Sequence, residues 1–414
     1  MACMTRENIL HEVFVMTSIT RIKAHELVEI DAKEGLYELF MGPQHMATEN
    51  FGIVLRIKGN VVERAAPDPG FLHRGFEKGA EFRNWINNVA FILRLCVPEP
   101  DVNEAAYSMA VESLAGWEPP LRAQYIRTLV LEMARYSAFL FWTGTMANEI
   151  GLYTAGQWAI ADRERILWLF EELTGVRVYH IYIFPGGVRR DIPDGWIEKL
   201  KRTVKYLKER LKDYDRLFFE NKITIDRLEG LGKISRKDAI GWGVTGPNLR
   251  ATGAKIDVRS YDPYLVYEDL NFEPQTANEG DALARMIVRR LEMAHSLELI
   301  EEIIEKMPSG EVQCPELKRA FKASFATKIP EGDSFAHVES SKGDFGYYIV
   351  SATGNKGLHN SSKIGSSKPY RLHVRGPSFT HAFHVLPKLL KGVKIADVPV
   401  IYKSLDICPP DADR

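Results

Sequence analysis

The sequence predicts an α+β fold built as one interwoven domain. Three observations point there: strand-like text near each end, a long stretch of helical periodicity between them, and no linker or repeat along 414 residues. From Tyr37 to Glu63 the pattern is short and alternating, and FGIVLRIKGNVVERA sets Gly59-Asn60 between two such runs, the signal for a tight hairpin. An N-terminal β region is therefore expected over about 35–66. From about Trp85 to Phe170 apolar residues recur every three or four positions, as in Ile126, Leu129, Val130 and Met133, so a helical core is expected over about 80–310. YHIYIFPGGVRRDIP interrupts it with Pro185, Gly186 and Gly187, which marks a buried or functional loop. A Lys-rich amphipathic helix is predicted over Asp194–Phe219, the Lys199 to Lys212 run being its solvated face, and another over Asp281–Met307. Residues 240–275, rich in Gly, Pro, Tyr and Asp, read as irregular backbone. A C-terminal β region is expected over about 330–414, with GDFGYYIVSATG and YRLHVRGPSF its clearest strands, and all of 1–414 reads as a single domain.

Composition narrows the function classes. A hydrophobic content of 45% can bury a large core, and 54 Lys plus Arg against 55 Asp plus Glu leave no net field to attract nucleic acid or anionic lipid. No run approaches the roughly 20 apolar residues of a membrane span, and the opening MACMTRENILHEVF lacks a secretory layout, so a cytoplasmic location is expected. Five Gln beside abundant Lys, Arg and Glu is a balance met in thermophile proteins. Cys3, Cys96, Cys314 and Cys408 contain no Cys-x-x-Cys pair, which argues against a disulfide framework, a zinc ribbon or a self-contained iron-sulfur ferredoxin. Gly243 and Gly246 lack the lysine and hydroxyl of a phosphate loop, and no GxGxxG opens a helix, so NAD or other nucleotide binding is not expected. His373 and His381 lack zinc-ligand spacing and read as structural.

Two local designs match each other. Cys96 sits in RLCVPEPD after a helical segment, where Pro98 and Pro100 stop the helix and form a rigid corner; Cys408 sits in SLDICPPDADR, again followed by prolines. Each thiol has a carboxylate three residues on, Glu99 and Asp411, close enough in a turn to share a site and exchange a proton. A nearby negative charge raises a thiol pKa, so cations are needed, with Arg94 and Arg414 as candidates. Either motif alone reads more readily as an ordinary half-buried cysteine with an acidic neighbour.

The segments MGPQHMATENFGIVLRIKGNVVERAAPDPGFLHRGFEK, AAYSMAVESLAG, RAQYIRTLVLEMARYSAFLFWTG, FPGGVRRDIP, GVTGPNLRATG, ESSKGDFGYYIVS, RLHVRGPSF and SLDICPPDADR, in that order, resemble the 49 kDa family of respiratory complex I. That family is similar in turn to the large subunits of nickel-iron hydrogenases. The resemblance spans nearly the whole chain and implies a hydrogenase large-subunit-like fold, with a central helical bundle and small β regions at its ends. In the hydrogenases two Cys-x-x-Cys pairs hold the metal; Cys96 and Cys408 match the first cysteine of each pair, and Glu99 and Asp411 match the second. Two thiols with two carboxylates make a harder ligand field, so no metal is expected here. In the quinone-reducing relatives a tyrosine and the histidine of a GPQHP loop hold the quinone. His45 matches that histidine, Met46 replaces the proline and Val97 takes the tyrosine position, so the resemblance implies half of a quinone site and argues against quinone binding.

A chain that keeps one cysteine of each pair is similar to the large subunits of the archaeal membrane-bound sulfane sulfur reductases. What this implies is a peripheral subunit on the cytoplasmic face of the membrane, binding no cofactor of its own. Electrons would come from an iron-sulfur cluster in a small neighbouring subunit. Ferredoxin-like subunits and membrane antiporter-like subunits would complete the complex, and polysulfide or another small acceptor would be the substrate. Cys96 and Cys408 would grip it near the cluster and two electrons would cleave it, with protons from Glu99, Asp411 or His45. His73 and Arg74 match a segment that lies beside the terminal cluster, and His180 falls in a comparable region, with Phe184 where an arginine is common. Two alternatives stand beside this: a quinone or other small-acceptor subunit of complex I type, and a non-catalytic scaffold. The scaffold would let the two sulfurs lie well beyond about 10 Å apart, whereas shared chemistry brings them close.

Overall fold

The computed structural model describes residues 27–31, 33–352 and 365–414. Cys3 and the last two residues of the GDFGYYIVSATG run lie outside them. Four strands, β1 (Leu27–Asp31), β2 (Leu36–Met41), β3 (Gly52–Lys58) and β4 (Val61–Asp68), form an antiparallel meander in chain order. The hairpin falls at Gly59-Asn60 as predicted: Lys58 faces Val61, and Gly59 takes φ 60°, the left-handed conformation a two-residue turn needs. β1 precedes the expected boundary. Its Leu27, Val28 and Ile30 are exposed and it is held by its ladder to β2, so no buried face signals it.

The helical core begins with α1 (Trp85–Ile92), where the Asn84 side chain accepts the Asn87 N–H at 2.8 Å. After α2 (Asp101–Ala115) comes α3 (Leu121–Glu149), whose 29 residues make a rod about 43 Å long. It is buried through most of its length because α4 (Tyr153–Thr174) and α6 (Ala282–Lys306) pack on different sides of it. Between these two lies α5 (Trp196–Tyr214), which buries Leu200, Val204, Leu207 and Leu211 and turns its lysines outward, then continues as a π turn over Asp215–Phe219. The Asp281 carboxylate caps α6 through the Ala284 N–H at 2.8 Å. The PGG interruption is a buried miniature hairpin, β5 (Ile183–Phe184) with β6 (Gly187–Val188). Residues 240–275 differ from expectation, since short helical turns occur at Gly246–Arg250, Val258–Tyr261 and Tyr267–Asp269.

A second antiparallel sheet, β7 (Gly332–Ser340), β8 (Gly343–Ser351) and β9 (Arg371–Arg375), lies against α2, with Tyr107 edge-on to Tyr347 at 5.9 Å. The β region expected over 330–414 ends at Arg375; the rest is helical, in α7 (Pro377–Thr380), α8 (Leu386–Leu390), α9 (Val398–Leu405) and α10 (Pro409–Ala412). Prolines in the first turns start α7, α9 and α10, where a missing N–H costs nothing, whereas Pro387 follows a π turn over His381–Val385 that runs on into α8. Val398, Ile401, Tyr402 and Leu405 then repeat at helical spacing to bury one face.

One hydrophobic cluster fills the space among α1 to α6 and the β7–β9 sheet; another joins β3 and β4 to α8 and α9 through Ile53, Leu55, Val62, Leu386 and Ile401. Leu95 belongs to the first and Ile407 to the second, so the residues that follow each, Cys96 and Cys408, come from opposite sides of the seam. Among the described residues no helix is long and apolar enough to cross a membrane.

Candidate functional site

The path of each cysteine is set by local chemistry. α1 tightens into a 3-10 turn at Leu93–Leu95 and stops at Cys96, whose φ −130° and ψ 119° are extended. Pro98 and Pro100 then forbid a return to helix until Asp101. On the other side α9 ends at Asp406 in the left-handed conformation, φ 54°, which aspartate tolerates, and Cys408 begins α10. Although 312 residues separate them in sequence, the two sulfurs lie 3.9 Å apart. Contact with Cys408, then burial, then negative charge on Cys408 push the Cys96 thiol pKa well up, while Lys342 pulls it down.

The carboxylates repeat one arrangement. Glu99 Oε2 accepts the Ser341 N–H at 2.7 Å, and Asp411 Oδ2 accepts the Ser378 N–H at 3.0 Å. The Ser378 hydroxyl oxygen in turn accepts the Cys408 N–H at 3.0 Å. The second oxygen of each acid, Glu99 Oε1 and Asp411 Oδ1, is buried without a partner. Burial raises both pKa values; Arg135 and Lys342 pull against it at Glu99, and the Ser378 hydrogen bonds do so at Asp411. Such acids hold a proton more readily than exposed ones and can offer it to a leaving group.

Glycine is required beside Asp411, because a Cβ at Gly376 would fall 1.4 Å from Asp411 Oδ1. Gly376→Ala is expected to push the carboxylate off Ser378 and to cost about 1–3 kcal/mol. Thermal unfolding checks this; a melting temperature equal to the parent's would mean that the contact yields freely.

The cation near the sulfurs is neither of the arginines suggested by sequence. Arg94 lies over the Tyr179 ring at 5.3 Å, and Arg414 lies over Phe379 at 4.5 Å and pairs with Glu77 at 3.4 Å. Lys342 takes that role. Ser340 pairs with Gly343 across a two-residue turn, and this hairpin tip is buried instead of facing water. It presents the Ser341 amide to Glu99 and leaves the Lys342 ammonium 3.3 Å from Asp406, in ionic contact. A cavity of about 220 Å³ opens beside it, with Cys408, Lys342, Val97, Phe141 and the half-buried Glu49–Lys403 ion pair in its wall. The sequence signal for Lys342 is weak, since a lysine in a tight turn is normally solvated.

The other expected residues divide. His45 does not line the cavity; its Nδ1 accepts the Ala47 N–H at 3.2 Å, on the same loop as the cavity residues Glu49 and Asn50. His73 and Arg74 are exposed together: His73 Nδ1 lies 2.7 Å from the Asp413 carbonyl oxygen, and Arg74 donates to the Arg94 carbonyl at 2.8 Å and covers Phe76. His180 is not with them. It is buried, paired through Nδ1 with Asp101 at 2.8 Å and stacked on Phe170 at 4.0 Å. Burial opposes its charge, but Asp101 overcomes that and raises its pKa. Tyr179, at φ 65°, takes the place near Arg94 instead. Burial raises its hydroxyl pKa, with Arg74 pulling against it.

The donor set does not fit a nickel-iron centre. It offers two thiols, and each carboxylate already has one oxygen committed to a backbone amide. Among the described residues no three His, Cys, Asp or Glu side chains converge as a metal-holding group.

Comparison with known proteins agrees with this architecture. Residues 149–414 match the family described as respiratory-chain NADH dehydrogenase, 49 kDa subunit. An NADH-quinone oxidoreductase subunit of Thermosipho melanesiensis is 43% identical over 381 residues, which cover 92% of this chain and 100% of that one. Its counterpart in Sinorhizobium medicae is 36% identical over 419 residues, covering 96% and 100%. A chain in the structure of the membrane-bound sulfane sulfur reductase, an archaeal respiratory membrane complex, is 56% identical with a TM-score of 0.86, covering 93% of this chain and 100% of that chain. The mixed helix-and-strand fold is that of the 49 kDa and nickel-iron hydrogenase large subunits. The chain belongs to the 49 kDa subunit family of the respiratory-chain NADH dehydrogenases, an oxidoreductase family of complex I type.

Proposed function

We propose that this chain is the catalytic large subunit of a ferredoxin-dependent, membrane-bound sulfane sulfur reductase, with ion translocation carried out elsewhere in the complex. The observation that carries this is the pair of buried thiols, 3.9 Å apart, of which Cys408 lies in the wall of a cavity that Lys342 also lines. A thiolate attacks a sulfur-sulfur bond through a mixed disulfide, and a neighbouring cation favours the thiolate. Glu99 and Asp411 supply protons through their unpartnered oxygens. The structural similarity at 56% identity supports the same reading. Electrons arrive from an iron-sulfur cluster in a small partner protein that docks on the face formed by His73, Arg74, Arg94 and Tyr179. Ferredoxin-like and antiporter-like subunits complete an assembly on the cytoplasmic face of the membrane.

In the assembled complex, Cys96→Ala and Cys408→Ala are each expected to reduce polysulfide reduction to background. Parent-like sulfide release from either variant would sink the proposal. The NADH-quinone oxidoreductase relatives favour a second reading, in which a quinone is the acceptor. Against it, Val97 stands at the cavity wall with no hydroxyl to offer. The cysteine variants separate the two, since quinone reduction does not need the thiols. A separation of 3.9 Å between the sulfurs also speaks against a pure scaffold.

A further inference from the structure

The two thiols are not equivalent. Cys408 forms part of the cavity wall and Cys96 does not, although both are nearly inaccessible to bulk solvent, at 4% and 3% exposure. Val97 and Pro98, the residues that follow Cys96, do reach the cavity. A molecule in the cavity therefore meets Cys408 first, with Cys96 3.9 Å from the Cys408 sulfur. From this placement, and resting on the proposed sulfane sulfur reductase activity, we infer a fixed order of events: Cys408 attacks the substrate, Cys96 resolves the adduct, and a Cys96–Cys408 disulfide is an obligatory intermediate.

The Cys408 thiolate attacks a terminal sulfur of a polysulfide dianion; the Sγ–S bond forms, the bond from that sulfur to the next one breaks, and the polysulfide, one sulfur shorter, leaves with the electron pair. This leaves a persulfide on Cys408. Cys96 then attacks Cys408 Sγ, giving up its thiol proton; the terminal sulfur leaves with the bonding pair and takes that proton as hydrosulfide. The sulfurs close from 3.9 Å to about 2 Å, which completes the disulfide. The substrate has gained two electrons and the dithiol has lost two. An iron-sulfur cluster, delivering one electron at a time, returns two electrons, and with two protons restores both thiols.

The neighbours suit this division. Lys342 lies in the cavity wall with Cys408, where an ammonium stabilises the attacking thiolate and the persulfide anion that follows. Contact with Cys408 and burial keep the Cys96 proton in place, so Cys96 waits as a thiol until an adduct forms. The order also excludes one wasteful outcome, because a persulfide on Cys408 meets an internal thiol before it meets a second substrate molecule.

The test uses the intact complex, reduced, freed of reductant and mixed with inorganic polysulfide without any electron donor. Acid quenching, alkylation and peptide mass mapping follow. The parent complex is expected to yield a Cys96–Cys408 cross-linked peptide and about one sulfide per site. Cys96→Ser is expected to accumulate one added sulfur on Cys408 and to release sulfide only at background level, whereas Cys408→Ser is expected to show no added sulfur on Cys96. A parent complex that releases sulfide with no cross-link, or a persulfide on Cys96 in Cys408→Ser, overturns the order. These results leave the reductase proposal standing if both cysteines are still needed for steady turnover with donor. Should either serine variant turn over normally with donor, the reductase proposal fails as well.

Discussion

Lys342→Met in the assembled complex is expected to lower polysulfide turnover by roughly 10²–10³ and to move the acid limb of the pH–rate profile to higher pH. Lys342 is 3% exposed, and burial opposes its charge. Asp406, then Cys96, Cys408 and Glu99, more than compensate and raise its pKa, so the side chain stays protonated. The sign follows from the pairing. A fixed cation stabilises a thiolate and lowers the thiol pKa; taking it away raises that pKa, leaves less thiolate at neutral pH and restores activity only as the medium becomes more basic. Lys342→Arg, which keeps the charge, should return the limb toward its original position. An acid limb that does not move in Lys342→Met would show that the sulfurs are indifferent to this ammonium.

The second large effect falls on stability. Arg250 has no exposed surface and holds Glu292 at 2.5 Å, Glu339 at 2.6 Å and Asp257 at 2.9 Å. Arg250→Met would leave these carboxylates buried with only part of their counter-charge, at a cost of about 3–5 kcal/mol. Thermal or denaturant unfolding checks this, and a superposable curve would show that Arg259 and Arg135 suffice alone. The same network gives a pH dependence. Burial pushes the Asp257 pKa up, but Arg259 and Arg250 pull it below its ordinary value, so its stabilising contribution is complete above the usual carboxylate range, about 3.9, and is lost as pH falls through the folded value. Glu339 has the opposite sign. Burial and Asp257 push it up to about 7, so its contribution is present at low pH and is lost as pH rises through that value. The consequence reaches the functional site, because Arg135 donates to the Glu339 carbonyl oxygen on β7, the strand that leads into the Ser341–Lys342 turn.

Several elements are legible in the sequence alone. The Gly59-Asn60 hairpin, the α6 cap at Asp281 and the outward lysines of α5 follow from turn chemistry and periodicity, which act over a few residues. The proline corners after Cys96 and Cys408 follow from the ring's fixed φ and its missing donor. The C-terminal helices are hidden because their segments are short and interrupted by the same prolines that start them. His180 shows another limit. Its motif places it correctly beside a turn, but one residue of backbone rotation decides whether His180 or Tyr179 faces outward, and Asp101 from another helix captures the histidine.

What the sequence by itself determined was the α+β class, the family resemblance and two matching Cys-x-x-carboxylate corners, all of which depend on local pattern. Only the tertiary structure decided that the corners meet. Their sulfurs come together because two separately buried hydrophobic clusters close against each other, a long-range event that no spacing along the chain encodes. It also decided which charge serves them. A lysine at a hairpin tip becomes the cation of the site only because β7 and β8 drive that tip inward and Asp406 arrives from α9 to hold it.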